Sequence, residues 1–151
     1  MTSPHAEPTA AARAETEAAL AELNGVRAPS LIDTLGIEVV ELTRERVILT
    51  MPIDERTRQP FGILHGGASV ALIETAASLG AWWNVDRTRE AAVGIEINAN
   101  HLRARRDGMV RCVATPVHRG RTTQVWSATI TDDQDRPVCI GRCTLAVVPL
   151  A

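Results

Sequence analysis

From Leu35 onward apolar and polar positions alternate. Leu35, Ile37 and Val39 interleave with Gly36, Glu38 and Val40, and Val47, Leu49 and Met51 interleave with Arg46, Ile48 and Thr50. A period of two sends successive side chains to opposite faces of a sheet, so two half-buried strands are predicted. A loop marked by Pro52 and Pro60 follows, and then the period disappears. From His65–Gly67 to about Trp83 the chain is apolar on every side, the mark of a core helix rather than a surface one. Strand patterns return near 92–104, 108–118, 121–131 and 137–148, separated by Asp107–Gly108, Gly120 and the turn-forming segment 132–137. In the third of these, Trp126, Ala128 and Ile130 share one face, and Thr123, Val125 and Ser127 the other. Two strands, one buried helix and a four-strand meander make an α+β fold in which an antiparallel sheet wraps one long central helix. No internal repeat or second domain is visible.

The first 30 residues read differently. Residues 1–9 are polar, carry Pro4 and Pro8, and are expected to be disordered. Residues 10–24 are rich in helix formers, Gly25 is a plausible stop, and Pro29–Ser30 break the chain. Residues 1–30 are therefore expected to be an N-terminal extension, partly helical or disordered and loosely attached, ahead of a domain at 31–151. The N-terminus lacks the apolar stretch of a signal peptide. The longest apolar run, Gly66–Trp83, is interrupted by Glu74, so no membrane span is expected and a soluble cytoplasmic protein is.

Composition narrows the chemistry. The 151 residues, 45% of them hydrophobic, suit one domain with a sizeable core. A net charge of -2 does not suggest nucleic-acid binding. All 16 basic residues are arginine, which excludes a Schiff-base, pyridoxal-phosphate or Walker A lysine. Three cysteines, Cys112, Cys139 and Cys143, fit reduced thiols. Cys139 and Cys143 have no second ligand pair at zinc spacing, so no metal site is expected and they read as small apolar packers.

Glu74 is the one ionisable residue within Gly66–Trp83. An unpaired buried carboxylate is costly, and such costs are accepted most often where the group works. The alternative is a structural Glu, paired with an arginine from the sheet or set at a dimer interface. His65-Gly66-Gly67 marks the helix start, where backbone N–H groups lack intrahelical partners. Glycine there lets a ligand approach the backbone, providing a donor for a carbonyl oxygen that gains negative charge, although a plain tight turn would look the same. Ser78, four residues on, shares the helix face of Glu74. An acid or base, an oxyanion donor and a polar positioner make a hydrolase constellation. No G-x-S-x-G nucleophile elbow competes with it.

The stretch MPIDERTRQPFGILHGGASVALIETAAS, continued through AVGIEINANHLRA and PVHRGRTTQVW, resembles the hotdog-fold acyl-CoA thioesterases. The resemblance covers roughly residues 31–148. It is strongest to the subgroup with the 1,4-dihydroxy-2-naphthoyl-CoA thioesterases of menaquinone biosynthesis and the enterobactin proofreading thioesterases. It implies hydrolysis of acyl- or aroyl-CoA, with CoA as part of the substrate and no separate cofactor, by a homodimer or homotetramer whose sites lie between subunits. By position, it implies Glu74 as nucleophile or general base and the Gly66 N–H as polariser of the thioester carbonyl. His65 would help hold that carbonyl, Gln59 would reach the reacting centre, and Ser78 would orient water.

For CoA the resemblance implies contacts from Gly94, from His101, Leu102, Arg103 and Ala104, and from His118, Arg119, Gly120, Arg121, Thr122 and Thr123. Those segments are basic in their own right, and arginine pairs well with phosphate; a charge-guarded strand edge is the plainer reading. Two positions depart from the family pattern: Ala104 stands where a proline is common and Leu102 where a second histidine is. Trp82 and Trp83 line an acyl pocket or simply pack. Other readings are a broad-range phenylacetyl- or medium-chain acyl-CoA or carrier-protein proofreading thioesterase, a non-catalytic acyl-CoA-binding protein, and a hotdog hydratase, whose Asp/His motif is missing.

Overall fold

The computed structural model describes residues 8–26 and 28–150. The expectation for residues 1–7 lies outside them. The elements are α1 (Ala10–Val26), α2 (Leu31–Leu35), β1 (Glu38–Leu42), β2 (Val47–Pro52), α3 (Gly66–Trp83), β3 (Glu90–His101), β4 (Met109–Arg119), β5 (Thr123–Thr131) and β6 (Pro137–Pro149). The strands form one antiparallel sheet in the order β1-β2-β4-β5-β6-β3, and α3 packs across it.

Two expectations need correction. The last four strands are not a simple meander: β4, β5 and β6 are, but β3 pairs with β6 at the far edge. Its ladder runs from Glu90↔Pro149 to His101↔Cys139. The connection after β3 carries the chain back to the other side. There the Arg105 carbonyl accepts from the Leu64 N–H and the Gly108 carbonyl from the Ile53 N–H, so β4 starts beside β2. The first strand also begins later than its alternation suggests. Leu31–Leu35 is a short helix that ends at Gly36, whose φ of 66° is a left-handed C-terminal conformation. Leu35 is buried from that helix, not from a strand.

The core is where the patterns place it. Val47, Leu49 and Met51 of β2, Trp126, Ala128 and Ile130 of β5, and Leu72, Ile73, Ala76, Ala77 and Ala81 of α3 belong to one buried cluster. Gly80 allows the helix its close approach, because a Cβ there would stand 2.5 Å from the Trp126 ring. One stripe of α3 is less covered: Val70, Ala71, Glu74, Ser78 and Trp82 are only half-buried.

The N-terminal helix is tied down rather than loose, and it runs past Gly25. The Thr16 hydroxyl accepts from the Leu42 N–H at 3.0 Å and donates to the Ala12 carbonyl at 2.7 Å. Glu15 accepts from the Trp83 indole at 2.9 Å and from the Arg44 N–H at 2.8 Å. Arg87 pairs with Glu22 at 2.8 Å and stacks on both tryptophans of α3, 4.4 Å from the Trp83 centroid and 5.1 Å from that of Trp82. Trp82 and Trp83 thus take part in packing that holds α1 and the α3 C-terminus together. No helix among the described residues is long and apolar enough to cross a membrane.

Candidate active site

His65 opens α3 in extended conformation, and its Nδ1 accepts from the Gly67 N–H at 2.8 Å. In the neutral ring this leaves the proton on Nε2, an assignment made from the hydrogen bond. The His65 carbonyl accepts from the N–H groups of Ala68 and Ser69. Three of the four N–H groups at the helix start are therefore satisfied. The Gly66 N–H has no acceptor among the described residues, and it carries the positive end of the helix dipole.

Gly66 lines a cavity of about 320 Å³ together with Gln59, Ser69, His101, Leu102, Arg103 and Ala104. The His101 ring lies over Gly66 so closely that a Cβ would meet its Nε2 at 2.9 Å. Gln59 sits in a tight loop with Gly62 at φ 77°, and its Oε1 accepts from the Phe61 N–H. That leaves the Gln59 amide nitrogen as its free donor. Phe61 projects from the loop tip, 83% exposed.

Glu74 occupies a second cluster, eight residues along α3 and about 12 Å away along its axis. Oε1 accepts from the Ser78 hydroxyl at 3.2 Å, and Oε2 from the Cys143 thiol at 3.1 Å. The carboxylate lies against the Gly94 backbone, where a Cβ would stand 2.5 Å from Oε1. Gly94 is on β3, the edge strand, at a register shift between Gly94 and Glu96. The Glu96 carboxylate is nearby, accepting from the Thr144 hydroxyl at 3.4 Å and the Asn98 amide at 2.8 Å. No ion pair among the described residues involves Glu74. Burial, then the hydrogen bond from Cys143 to Glu74, push the Cys143 thiol up to about 12.

The basic segments fall at opposite ends of α3. His101–Ala104 lie with the cavity at the helix start, whereas Arg119 sits at the helix end. Its guanidinium donates to Glu45 at 2.8 Å, to the Arg44 carbonyl at 3.2 Å and to Asn84, the C-cap of α3, at 3.3 Å. His118 folds over Gly120, while Arg121 and Thr122 are exposed in the turn before β5. One chain thus brings Gln59, Gly66 and His101 together at one cavity, with His65 on a neighbouring cavity beside Leu35, Arg56 and Ala71, and brings Glu74, Ser78 and Gly94 together, but does not join the two groups. Cys143 is the neighbour that sequence reasoning missed, having read it as a packer. It is indeed fully buried, and it shares the inward phase of β6 with Cys139 and Leu145, the phase that points toward α3. Among the described residues no group of three His, Cys, Asp or Glu is placed to hold a metal ion.

Comparison with known proteins gives the family. A family model described as the thioesterase superfamily matches residues 61–139. The chain is 44% identical over 117 residues to a 1,4-dihydroxy-2-naphthoyl-CoA hydrolase of Listeria monocytogenes, covering 78% of this chain and 94% of that one. It is 45% identical over 129 residues to the proofreading thioesterase EntH of Cronobacter turicensis, covering 85% and 93%. Among solved structures, a mutant of thioesterase PA1618 from Pseudomonas aeruginosa superposes with a TM-score of 0.81 at 41% identity, covering 99% of this chain and all of that one.

Proposed function

Because the chain belongs to the thioesterase superfamily and is a thioester hydrolase, we propose that it hydrolyses acyl- or aroyl-CoA to the free acid and CoA with Glu74 as the reacting carboxylate. The observation that carries this is the setting of Glu74. It is the one charged side chain on α3, its two oxygens are held by neutral donors, and it faces the backbone of an edge strand.

The Gly66 N–H is the donor offered to the carbonyl oxygen, the Gln59 side chain lines the same cavity, and His65 braces the helix start through its Nδ1 from the neighbouring cavity. A reacting carbon within about 3 Å of both an oxyanion donor and the carboxylate is what acyl transfer requires. Gly66 and Glu74 of one chain are too far apart for that. We therefore assign the two halves of each site to two copies paired along their β3 edges, which also buries an edge strand that would otherwise stay unpaired. The same pairing supports bringing His101–Ala104 of one copy toward the basic turn His118–Thr123 of the other as a cradle for CoA phosphates. A monomer by light scattering contradicts this. So does a mixture of Glu74→Gln and Gly66→Ala chains, refolded together, that recovers no activity beyond either alone.

In the reaction, Glu74 attacks the carbonyl carbon, breaks the C–S bond and gives a mixed anhydride that water opens. Alternatively it takes a proton from water that attacks, and the leaving thiolate receives that proton. Ser78, on Oε1, sets the carboxylate and the water.

We assign 1,4-dihydroxy-2-naphthoyl-CoA or a related aroyl-CoA as substrate, which would place the enzyme in cytoplasmic menaquinone biosynthesis; the naphthoyl-CoA hydrolase relative supports this. A proofreading or broad-range activity is the second reading, favoured by the equally similar proofreading relative. Release of free thiol from aroyl-, phenylacetyl- and fatty acyl-CoA, and from the same acyl groups on a carrier protein, separates them. The first reading predicts the highest kcat/KM on aroyl-CoA. Fastest release from carrier thioesters favours proofreading. Tight CoA binding without turnover on any thioester contradicts hydrolysis.

A further inference from the structure

We propose that Cys143 is a positioning residue for the Glu74 carboxylate, its thiol fixing Oε2 from the sheet while Ser78 fixes Oε1 from the helix. The inference rests on the reading of Glu74 as the reacting group.

The geometry is specific. A carboxylate on a Glu side chain turns about its last torsion in a broad, two-fold well. One donor on one oxygen leaves that turn open, whereas donors on both oxygens from two different elements close it. Ser78 comes from α3, one turn after Glu74, and Cys143 from β6, opposite Ile97 of β3 and Trp126 of β5. The β6 strand is clamped between β5 and β3, so the thiol sits on the most constrained side of the site. Cys143 has no exposed surface, and its raised thiol stays protonated, hence a donor, at any pH at which the protein is assayed.

The choice of sulfur also has a chemical logic. A strong donor to a carboxylate stabilises the ionised form and lowers its basicity and nucleophilicity. A thiol is a weak donor, so it orients Oε2 while leaving the oxygen reactive. A cation there would do the opposite. The titratable groups facing Glu74 are Cys143 from β6 and Glu96 from β3, and α3 contributes no other charged side chain. Neither neighbour is positively charged, so orientation rests on the two neutral donors.

The test is the pH profile of kcat and KM for Cys143→Ala, Cys143→Val and Cys143→Ser on one CoA thioester, with melting curves. Ala and Val lose the donor. Each is expected to lower kcat about tenfold, the effect of one hydrogen bond at a reacting group, with KM within about twofold of wild type. Loss of a donor to the ionised form moves the acid limb of the profile to higher pH. Ser restores the donor, so its kcat returns to within about threefold of wild type and its acid limb to the wild-type position or below. Val leaves no cavity in place of the thiol, so a folded Val variant gives the answer if Ala does not fold. Variants without the donor that keep wild-type kcat and acid limb overturn the inference, as does a Ser variant that falls with Ala and Val in proportion to melting temperature. If Glu74→Gln itself retains turnover, the reading of Glu74 fails first. If Glu74→Gln is inactive and Cys143→Ala is indifferent, the inference about Cys143 fails alone.

Discussion

Glu74 and Asp132 are both carboxylates drawn into the protein, and they are handled in opposite ways. Asp132, 1% exposed in the turn between β5 and β6, is surrounded by positive charge and backbone donors. Arg136 and Arg105 pair with it at 2.9 and 3.3 Å, and the N–H groups of Gln134 and Arg136 each donate at 3.0 Å. Burial alone would raise its pKa, but the hydrogen bonds from the Arg136 backbone and guanidinium and the Gln134 N–H outweigh it and bring the group down to about 2. Glu41 follows the same pattern, with both oxygens on the Arg46 guanidinium at 2.8 Å. Among the described residues Glu74 has no cation, only a hydroxyl and a thiol. On the proposed reading, the carboxylates kept for structure are paired with arginine, whereas the one kept for chemistry is held only by neutral donors.

The comparison can be broken in graded steps. Asp132→Ala strands Arg105 and Arg136 and uncaps two N–H groups. It is expected to cost about 3–5 kcal/mol of stability, by chemical denaturation, with turnover within about twofold of wild type. The same group gives an acid signature. Its folded pKa lies below the ordinary carboxylate value, so its contribution is present above that value and is lost as pH falls through about 2. Melting curves over that range should steepen in wild type and flatten in the variant. Glu41→Gln should cost about 2 kcal/mol, less than Asp132 because Arg46 is partly exposed and can turn to water. The smallest step contrasts two hydroxyls. Thr16→Val leaves the Leu42 N–H unpaired and should cost about 1 kcal/mol with turnover intact. Ser78→Ala should lower turnover with stability nearly unchanged. A Ser78 variant that loses stability but not rate would undo the contrast.

How much of this was legible in the sequence depended on range. The β5 face of Trp126, Ala128 and Ile130 follows from a local period of two, and the helix from His65 to Trp83 from a long run that is apolar on every side. The place of β3 beside β6 is a long-range pairing that no local period encodes, and the meander expected instead is the shortest connection consistent with the pattern. The helix Leu31–Leu35 escaped because five residues are too few to show a helical period, and Leu35 and Ile37 happened to alternate. Glu74 stood out as the one charge in an apolar helix. Its partner Cys143 did not, because a buried cysteine looks like any small core residue until the strand phase and the helix crossing are known together. The attachment of α1 was hidden for a similar reason: Thr16, Glu15 and Glu22 are ordinary helix-surface residues until Leu42, Trp83 and Arg87 are brought to them.

The most direct test of the central claim is the rate of CoA release by Glu74→Gln, which keeps the shape and removes the charge, measured beside its melting temperature. The account predicts a loss of about 10²–10⁴ in kcat with the melting temperature unchanged or raised, since no cation is left unpaired. Turnover within a few-fold of wild type, or a rate loss matched by a collapse in stability, would contradict it and place Glu74 with Asp132 among the carboxylates kept for structure.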